Sequence, residues 1–308
     1  MYIVRPGEDR WVTIGNHTVR LSLLAELFRL FFGGLSTRDL EAHFAAKGLS
    51  VSHVTLWKWI LAISHLVYTY SSRHLRPAVA GEWYSDEMKV AKYWLVFVYD
   101  RATHFILAAD VILSRSIARL RRILRTARII AGKCPEKLKT DGCPGYRQAC
   151  KKEYGPEVHD WKAKNEAGGF GHINFQEGCQ RPTRARIDAM TCFHGTQDEV
   201  RDLVKGYFTY HDFVDKSPAA GNKTPAEVSA IPWLGDDPAL TLLWNAVGEG
   251  SCIPLRRHKP LRRRKTLLTR WIPIILKMPH FFVIRRLRAR SHHCTVLRDR
   301  KILEWCRP

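Results

Sequence analysis

The chain has 308 residues with 50 Lys+Arg against 29 Asp+Glu, a formal net charge of +21, and it is 45% apolar and 11% aromatic. That much apolar side chain excludes a disordered polyelectrolyte and suffices for one or two ordinary cores, while the charge favours an anionic partner, nucleic acid before acidic lipid. No apolar run reaches the roughly 20 residues a bilayer requires, and the longest, 271–284, is interrupted by Lys277, Pro279 and His280. No membrane partner is therefore expected. The first residues lack the apolar centre of a signal peptide, so a cytoplasmic location is expected. The eight cysteines form no C-x-x-C pair and read as free thiols, and His292-His293-Cys294 has no second ligand pair at finger spacing.

The charge is unevenly placed. Residues 251–308 hold 17 basic and 2 acidic side chains, a net of +15, which leaves 33 basic, 27 acidic and +6 for the first 250 residues.

Leu21, Leu24, Leu27, Phe28 and Phe31 recur at three and four, which predicts an amphipathic helix over 19–32 ended by Gly33-Gly34. Ser36 and Asp39 make a capping-box-like start for a second helix through Ala46, stopped by Gly48. Ser50 or Ser52 can cap a third helix carrying Val54, Leu56, Trp57, Trp59, Ile60 and Ile63. Two helices joined by 47–51 form a helix-turn-helix candidate, in which Ser52, His53, Thr55 and Lys58 would approach base edges. Any three-helix bundle with Trp57 and Trp59 in its core has the same pattern.

Residues 73–81, with Pro77, read as a linker. The period then changes: 83–90, 93–100 and 104–113 are β-rich runs with short connections. A helix over 114–131, a short strand over 137–140 ending at Asp141-Gly142, and a helix from Tyr146 follow. Three antiparallel strands, a helix, a fourth strand and a helix is the opening order of a ribonuclease-H-like α/β domain.

In that arrangement Asp86 lies within the first strand and Asp141 at the end of the fourth, and the two strands are neighbours. Carboxylates so paired can hold divalent cations, Mg²⁺ or Mn²⁺, for an in-line phosphoryl displacement. Asp-Gly is also a common turn dipeptide, and Asp86 would serve equally as a surface strand residue. Asp100, beside Arg101 and a turn, reads as a structural ion pair.

Trp83-Tyr84-Ser85-Asp86-Glu87, Tyr99-Asp100-Arg101, Thr140-Asp141-Gly142-Cys143-Pro144-Gly145-Tyr146, Phe193-His194-Gly195-Thr196 and Asn222-Lys223-Thr224-Pro225-Ala226-Glu227 stand in one order. Together they resemble the ordered signatures of insertion-sequence DDE transposases, nearest the IS-six group, over residues 21–247. The resemblance implies a DNA transposase that exposes 3′-hydroxyl ends and joins them to target DNA with three acidic residues and Mg²⁺. It would act as a homodimer bridging two element ends of double-stranded DNA. The implied fold is α/β, a ribonuclease-H-like mixed sheet flanked by helices and preceded by a small all-α helix-turn-helix domain. The implied division is a helix-turn-helix region at 1–72, a linker at 73–81, a transposase core at 82–247 and a basic tail at 248–308.

Carried over by motif, Asp86 matches the family's first catalytic Asp and Asp141 its second. The family's Glu stands two residues before the Phe-His-Gly-Thr stretch, and Thr191 occupies that place here, which marks a degenerate copy. Asp188, one helical turn away, is the foremost substitute, followed by Glu199 and Glu177. The family's basic helix after Thr196 is expected to be shortened to 197–202. The tail reads either as a DNA-backbone arm or as an extension beyond the family's usual end.

Overall fold

In the computed structural model, residues 1–90, 92–140, 143–161, 195–217, 220–248 and 252–255 are described. The centre is a five-stranded sheet. Its strands are β3 (Glu82–Val90), β4 (Tyr93–Asp100), β5 (Ile106–Ile112), β6 (Lys137–Thr140) and β7 (His159–Trp161), ordered β5-β4-β3-β6-β7. β3, β4 and β5 pair antiparallel, while β3–β6 and β6–β7 pair parallel. That mixed sheet, flanked by helices, has the strand order of a ribonuclease-H-like core. β4 is buried along nearly its whole length, as its continuous apolar run Leu95-Val96-Phe97-Val98 requires of a strand covered on both faces.

Strand alternation assigns the helices to faces. Ser85 meets the Tyr146 hydroxyl of α5 (Pro144–Glu153) at 3.1 Å, and Glu87 meets Arg115 just before α4 (Ile117–Ala131), so these odd-numbered β3 residues face α4 and α5. Asp86 is in register with Phe97, whose ring lies 5.7 Å from Phe208 of α6 (Gln197–Phe213). Asp86 thus faces the α6 side. Helix α6 runs to Phe213, which corrects the expected shortening to 197–202. Val200, Leu203, Val204, Tyr207 and Phe208 keep a buried stripe at helical spacing far beyond residue 202.

The helices of the N-terminal region are α1 (Leu21–Gly33), α2 (Thr37–Ala46) and α3 (His53–His74). Leu21, Leu24, Leu27, Phe28 and Phe31 are buried as their spacing demands, Ser36 and Asp39 form the expected capping box, and Ser52 caps α3. The region is not all-α. Strands β1 (Trp11–Ile14) and β2 (His17–Arg20) form a hairpin that buries Val12, Ile14 and Val19. Gly15 at φ +60° opens its two-residue turn, where a residue with a Cβ would be strained. A third strand, β8 (Cys252–Ile253), pairs parallel with β1. Val54, expected on the apolar side of α3, is 50% exposed.

Two short contacts join α3 to α6. A Cβ on Gly206 would lie 2.1 Å from Ser64 Oγ, so the glycine permits the close approach, and His65 Nδ1 is 3.2 Å from the buried Asp202 carboxylate. Helix α7 (Pro225–Val228) is a single capped turn, and α8 (Pro238–Val247) packs on α1 and α3. Arg10 holds the end of α8 by donating to the Gly248 and Trp244 carbonyls while its guanidinium lies 4.6 Å from the Trp244 ring centre. These elements belong to one unit, Met1–His258, and Lys259–Pro308 lies outside the described residues. No helix among the described residues is long and apolar enough to cross a membrane.

Candidate functional site

Asp86 sits at the middle of the nine-residue β3, which is paired with β4 on one side and β6 on the other. A central strand of this kind fixes its backbone, and the residue is only 8% exposed. Its Oδ1 accepts the Glu87 backbone N–H at 2.7 Å. On the opposite face, Glu87 Oε1 pairs with Arg115 at 2.6 Å, and the Arg115 guanidinium stacks 4.1 Å from the Trp94 ring centre. β3 runs parallel to β6 with Tyr84 opposite Lys139, and β6 ends at Thr140. Asp141 follows Thr140 in sequence. It lies outside the described residues, as do Asp188, Thr191 and Glu177.

Mg²⁺ and Mn²⁺ take hard oxygen donors, and the Asp86 carboxylate is one. Among the described residues no group of three or more His, Cys, Asp or Glu side chains is arranged to hold a metal ion. The donor present therefore fits the ion in kind, and its expected companions, Asp141 and Asp188, fall in undescribed segments. Glu199, the second substitute for the third acid, has a structural occupation. Its Oε2 accepts the Thr196 N–H at 2.7 Å and the Thr196 hydroxyl at 3.0 Å, capping α6.

Asp100 is corrected. It is fully buried, and Oδ2 accepts the Thr103 N–H at 3.0 Å and hydroxyl at 2.9 Å, closing the β4–β5 turn. Arg101 pairs with Glu82 instead, at 3.1 Å. A turn lets the residue three ahead approach more easily than the next residue in line, which extends away.

Sequence reading missed the cluster formed by Glu82, Tyr84, Lys139 and Arg101. Lys139 Nζ reaches Glu82 Oε1 at 2.5 Å and the Tyr84 hydroxyl at 3.4 Å. Burial alone would raise the Glu82 carboxyl, yet hydrogen bonds from Lys139, Tyr84 and Arg101 hold it down to about 2. Alternation in β3 puts Glu82 and Tyr84 on the face of Asp86, so the Tyr84↔Lys139 register is the signal that would have found the cluster. His159 of β7 was also missed. Its Nε2 shares a 2.9 Å hydrogen bond with Thr140, and burial lowers its pKa.

The four candidate DNA-reading residues share the first turns of α3. Ser52 Oγ accepts the Thr55 N–H at 3.3 Å and lies 3.0 Å from the Thr55 hydroxyl. His53 Nδ1 pairs with Glu41 Oε2 of α2 at 2.9 Å, and Lys58 is exposed. Trp59 is fully buried and Trp57 packs edge-on to Phe31 at 6.1 Å, so both tryptophans serve the core. Cys134, Cys150 and Cys252 are free thiols, and burial pushes Cys150 up to about 12.

No protein-family model and no curated protein matches the chain. Among solved structures it is similar to a chain of the simian T-cell lymphotropic virus intasome in complex with the PP2A regulatory subunit B56 gamma. The identity is 14% over 60% of this chain and 61% of that one, with a TM-score of 0.39. It is similar to the catalytic core domain of BIV integrase at 15% identity, over 49% and 93% of the two chains, with a TM-score of 0.37. It is similar to the HTLV-2 integrase catalytic core domain in complex with magnesium at 14% identity, over 50% and 99%, with a TM-score of 0.35. The chain thus spans 61% of the intasome chain it matches.

Proposed function

We propose that the chain is a DNA transposase of the DDE kind that cuts the ends of an insertion sequence and joins them to target DNA. Asp86 and Asp141 would hold Mg²⁺ or Mn²⁺, with Asp188 as the third acid, and Ser52, His53, Thr55 and Lys58 would contact the element's ends. The observation that carries this reading is the parallel pairing of β3 with β6, which sets the strand bearing Asp86 beside the strand that ends one residue before Asp141. Bound there, the metal would lower the pKa of an attacking oxygen and stabilise the leaving oxygen. Asp86 contributes an anionic oxygen on a strand paired with β4 at Phe97 and with β6 up to Tyr84, so the geometry is set before DNA arrives. Two copies of the chain would bridge two ends of the element.

The test is strand cleavage and joining by the purified full chain on duplexes carrying the element's ends, with Mg²⁺ and with chelator. Metal-dependent 3′-hydroxyl ends and joined products are expected; their absence contradicts the reading. A second reading is motivated by Thr191, which replaces an anionic ligand with a hydroxyl. In it the chain is a catalytically inactive remnant that only binds DNA. A gain of cleavage in Thr191→Glu over a silent wild type supports that reading. Wild-type cleavage with no gain in the variant rejects it.

A further inference from the structure

The positive charge of the first 250 residues is concentrated in one layer. Helices α4 and α5 hold 8 Lys+Arg and 1 Asp+Glu, a net of +7, so the rest of those 250 residues carries −1. Helix α4 contains five arginines and no acid. Arg121, Arg125 and Arg128 converge on the single buried carboxylate of Glu153 in α5, at 3.1, 3.3 and 2.9 Å, while remaining 42%, 50% and 41% exposed. One anion neutralises one of the three and holds all of them in place. Arg147, Lys151 and Lys152 of α5 are exposed. Arg122 is exposed as well, paired with Asp110.

We infer that the outer surface of the α4–α5 layer is a docking face for the phosphate backbone of double-stranded nucleic acid. The three arginines stand at i, i+4 and i+7, a rise of about 10 Å along the helix. Duplex DNA presents a phosphate about every 3.4 Å of axis on each strand, so the stripe matches about three in a row. Guanidiniums suit this because they bind phosphate oxygens through two parallel donors, and Glu153 removes part of the ordering cost by fixing them beforehand. A membrane face would carry large apolar side chains among the cations; here Ile129 is exposed on α4, and the exposed large apolar residues include none on α5. The face lies on the side of the sheet opposite Asp86, and the inference rests on charge and geometry, independent of the strand-transfer reading.

The experiment is a salt titration of full-length protein binding to a duplex of arbitrary sequence. Two charge variants are compared with wild type, each checked for wild-type folding by circular dichroism. Arg147→Glu/Lys151→Glu/Lys152→Glu breaks no ion pair seen among the described residues, and the expected change is a drop of about 3 in the slope of log K against log salt. Affinity at about 0.15 M salt is expected to fall at least about tenfold. Arg121→Gln/Arg125→Gln/Glu153→Gln removes two guanidiniums together with their buried partner, leaving no uncompensated buried acid, and is expected to lower the slope by about 2. Because the tail's contribution is common to all three proteins, only the difference is read. A folded variant of either kind that keeps the wild-type slope overturns the proposal. So does a loss of binding to phosphatidylserine vesicles with duplex binding unchanged, which would make the partner a membrane.

Discussion

The two faces of the central sheet differ in what they bring to the surface. One face carries Asp86, Tyr84 and Glu82 and is covered by α6, which in turn holds α3 through Gly206 and Ser64. The other carries Ser85 and Glu87, lies against α4 and α5, and bears a net +7 within those two helices. A one-residue step along β3 therefore moves from the candidate chemistry to the basic layer. The helix-turn-helix candidate contributes little charge by comparison: residues 36–66 hold three basic and two acidic side chains. Motif and charge are separate properties here, and net charge located neither the candidate catalytic acid nor the candidate reading helix.

The comparison breaks first at Asp86. Asp86→Asn keeps size and is expected to cost on the order of 10³-fold or more in Mg²⁺-dependent cleavage, about 4 kcal/mol, with the unfolding midpoint in urea little changed. A variant that keeps its activity would strip the α6 face of its chemistry. On the other face, Glu153→Ala leaves three guanidiniums crowded without their anion. Their half exposure moderates the cost to roughly 2–4 kcal/mol, read as a lowered urea midpoint.

Asp212 of α6 sharpens the contrast through pH. Burial raises its carboxyl to about 6, opposed by hydrogen bonds from His211 and the Ile106 N–H. Because the folded-state pKa lies above the unfolded value, the folded protein binds the proton more tightly. The associated stability is full below about pH 4 and lost as pH rises through about 6, up to about 3 kcal/mol. Asp212→Asn should flatten that decline in urea unfolding measured from about pH 4 to 7.5. An unchanged decline would assign it to other groups.

Gly206→Ala drives a methyl into Ser64 and Phe32 and is expected to cost about 1–3 kcal/mol, with Ser64→Gly restoring part of it in the double variant. Additive losses would show that the two residues do not press on each other. The smallest effect is expected at the α2 cap, where Ser36→Ala removes an acceptor for the Asp39 N–H and lowers stability by about 1 kcal/mol.

Much of the fold was legible because its signals are local. Alternation and apolar runs marked β3 to β5, three- and four-residue spacing marked α1 and α4, and Ser36 with Asp39 marked the start of α2. Two stretches of the family-like signatures also proved to be local hydrogen-bonding patterns: Thr224 with Glu227 is a capping box, and Asp100 with Thr103 closes a turn. What was not legible depends on partners distant in sequence. The β1–β2 hairpin is short, and its neighbour β8 comes from the far end of the described chain. Arg101 pairs with Glu82 because β3 and β4 lie side by side, which nothing in Asp100-Arg101 discloses. Asp86 was legible as a residue on a strand beside β6; its face, and the Glu82–Tyr84–Lys139 cluster sharing that face, required the register.

The central claim is that Asp86 and Asp141 share a divalent cation. It is tested most directly by loading the full chain with Fe²⁺ in place of Mg²⁺ and generating hydroxyl radicals with ascorbate and peroxide, then mapping where the backbone is cut. The expected result is cleavage beside Asp86 in β3 and beside Asp141, suppressed by excess Mg²⁺ and lost in Asp86→Asn. Cleavage elsewhere, or cleavage near Asp86 that survives both Mg²⁺ and Asp86→Asn, would contradict it.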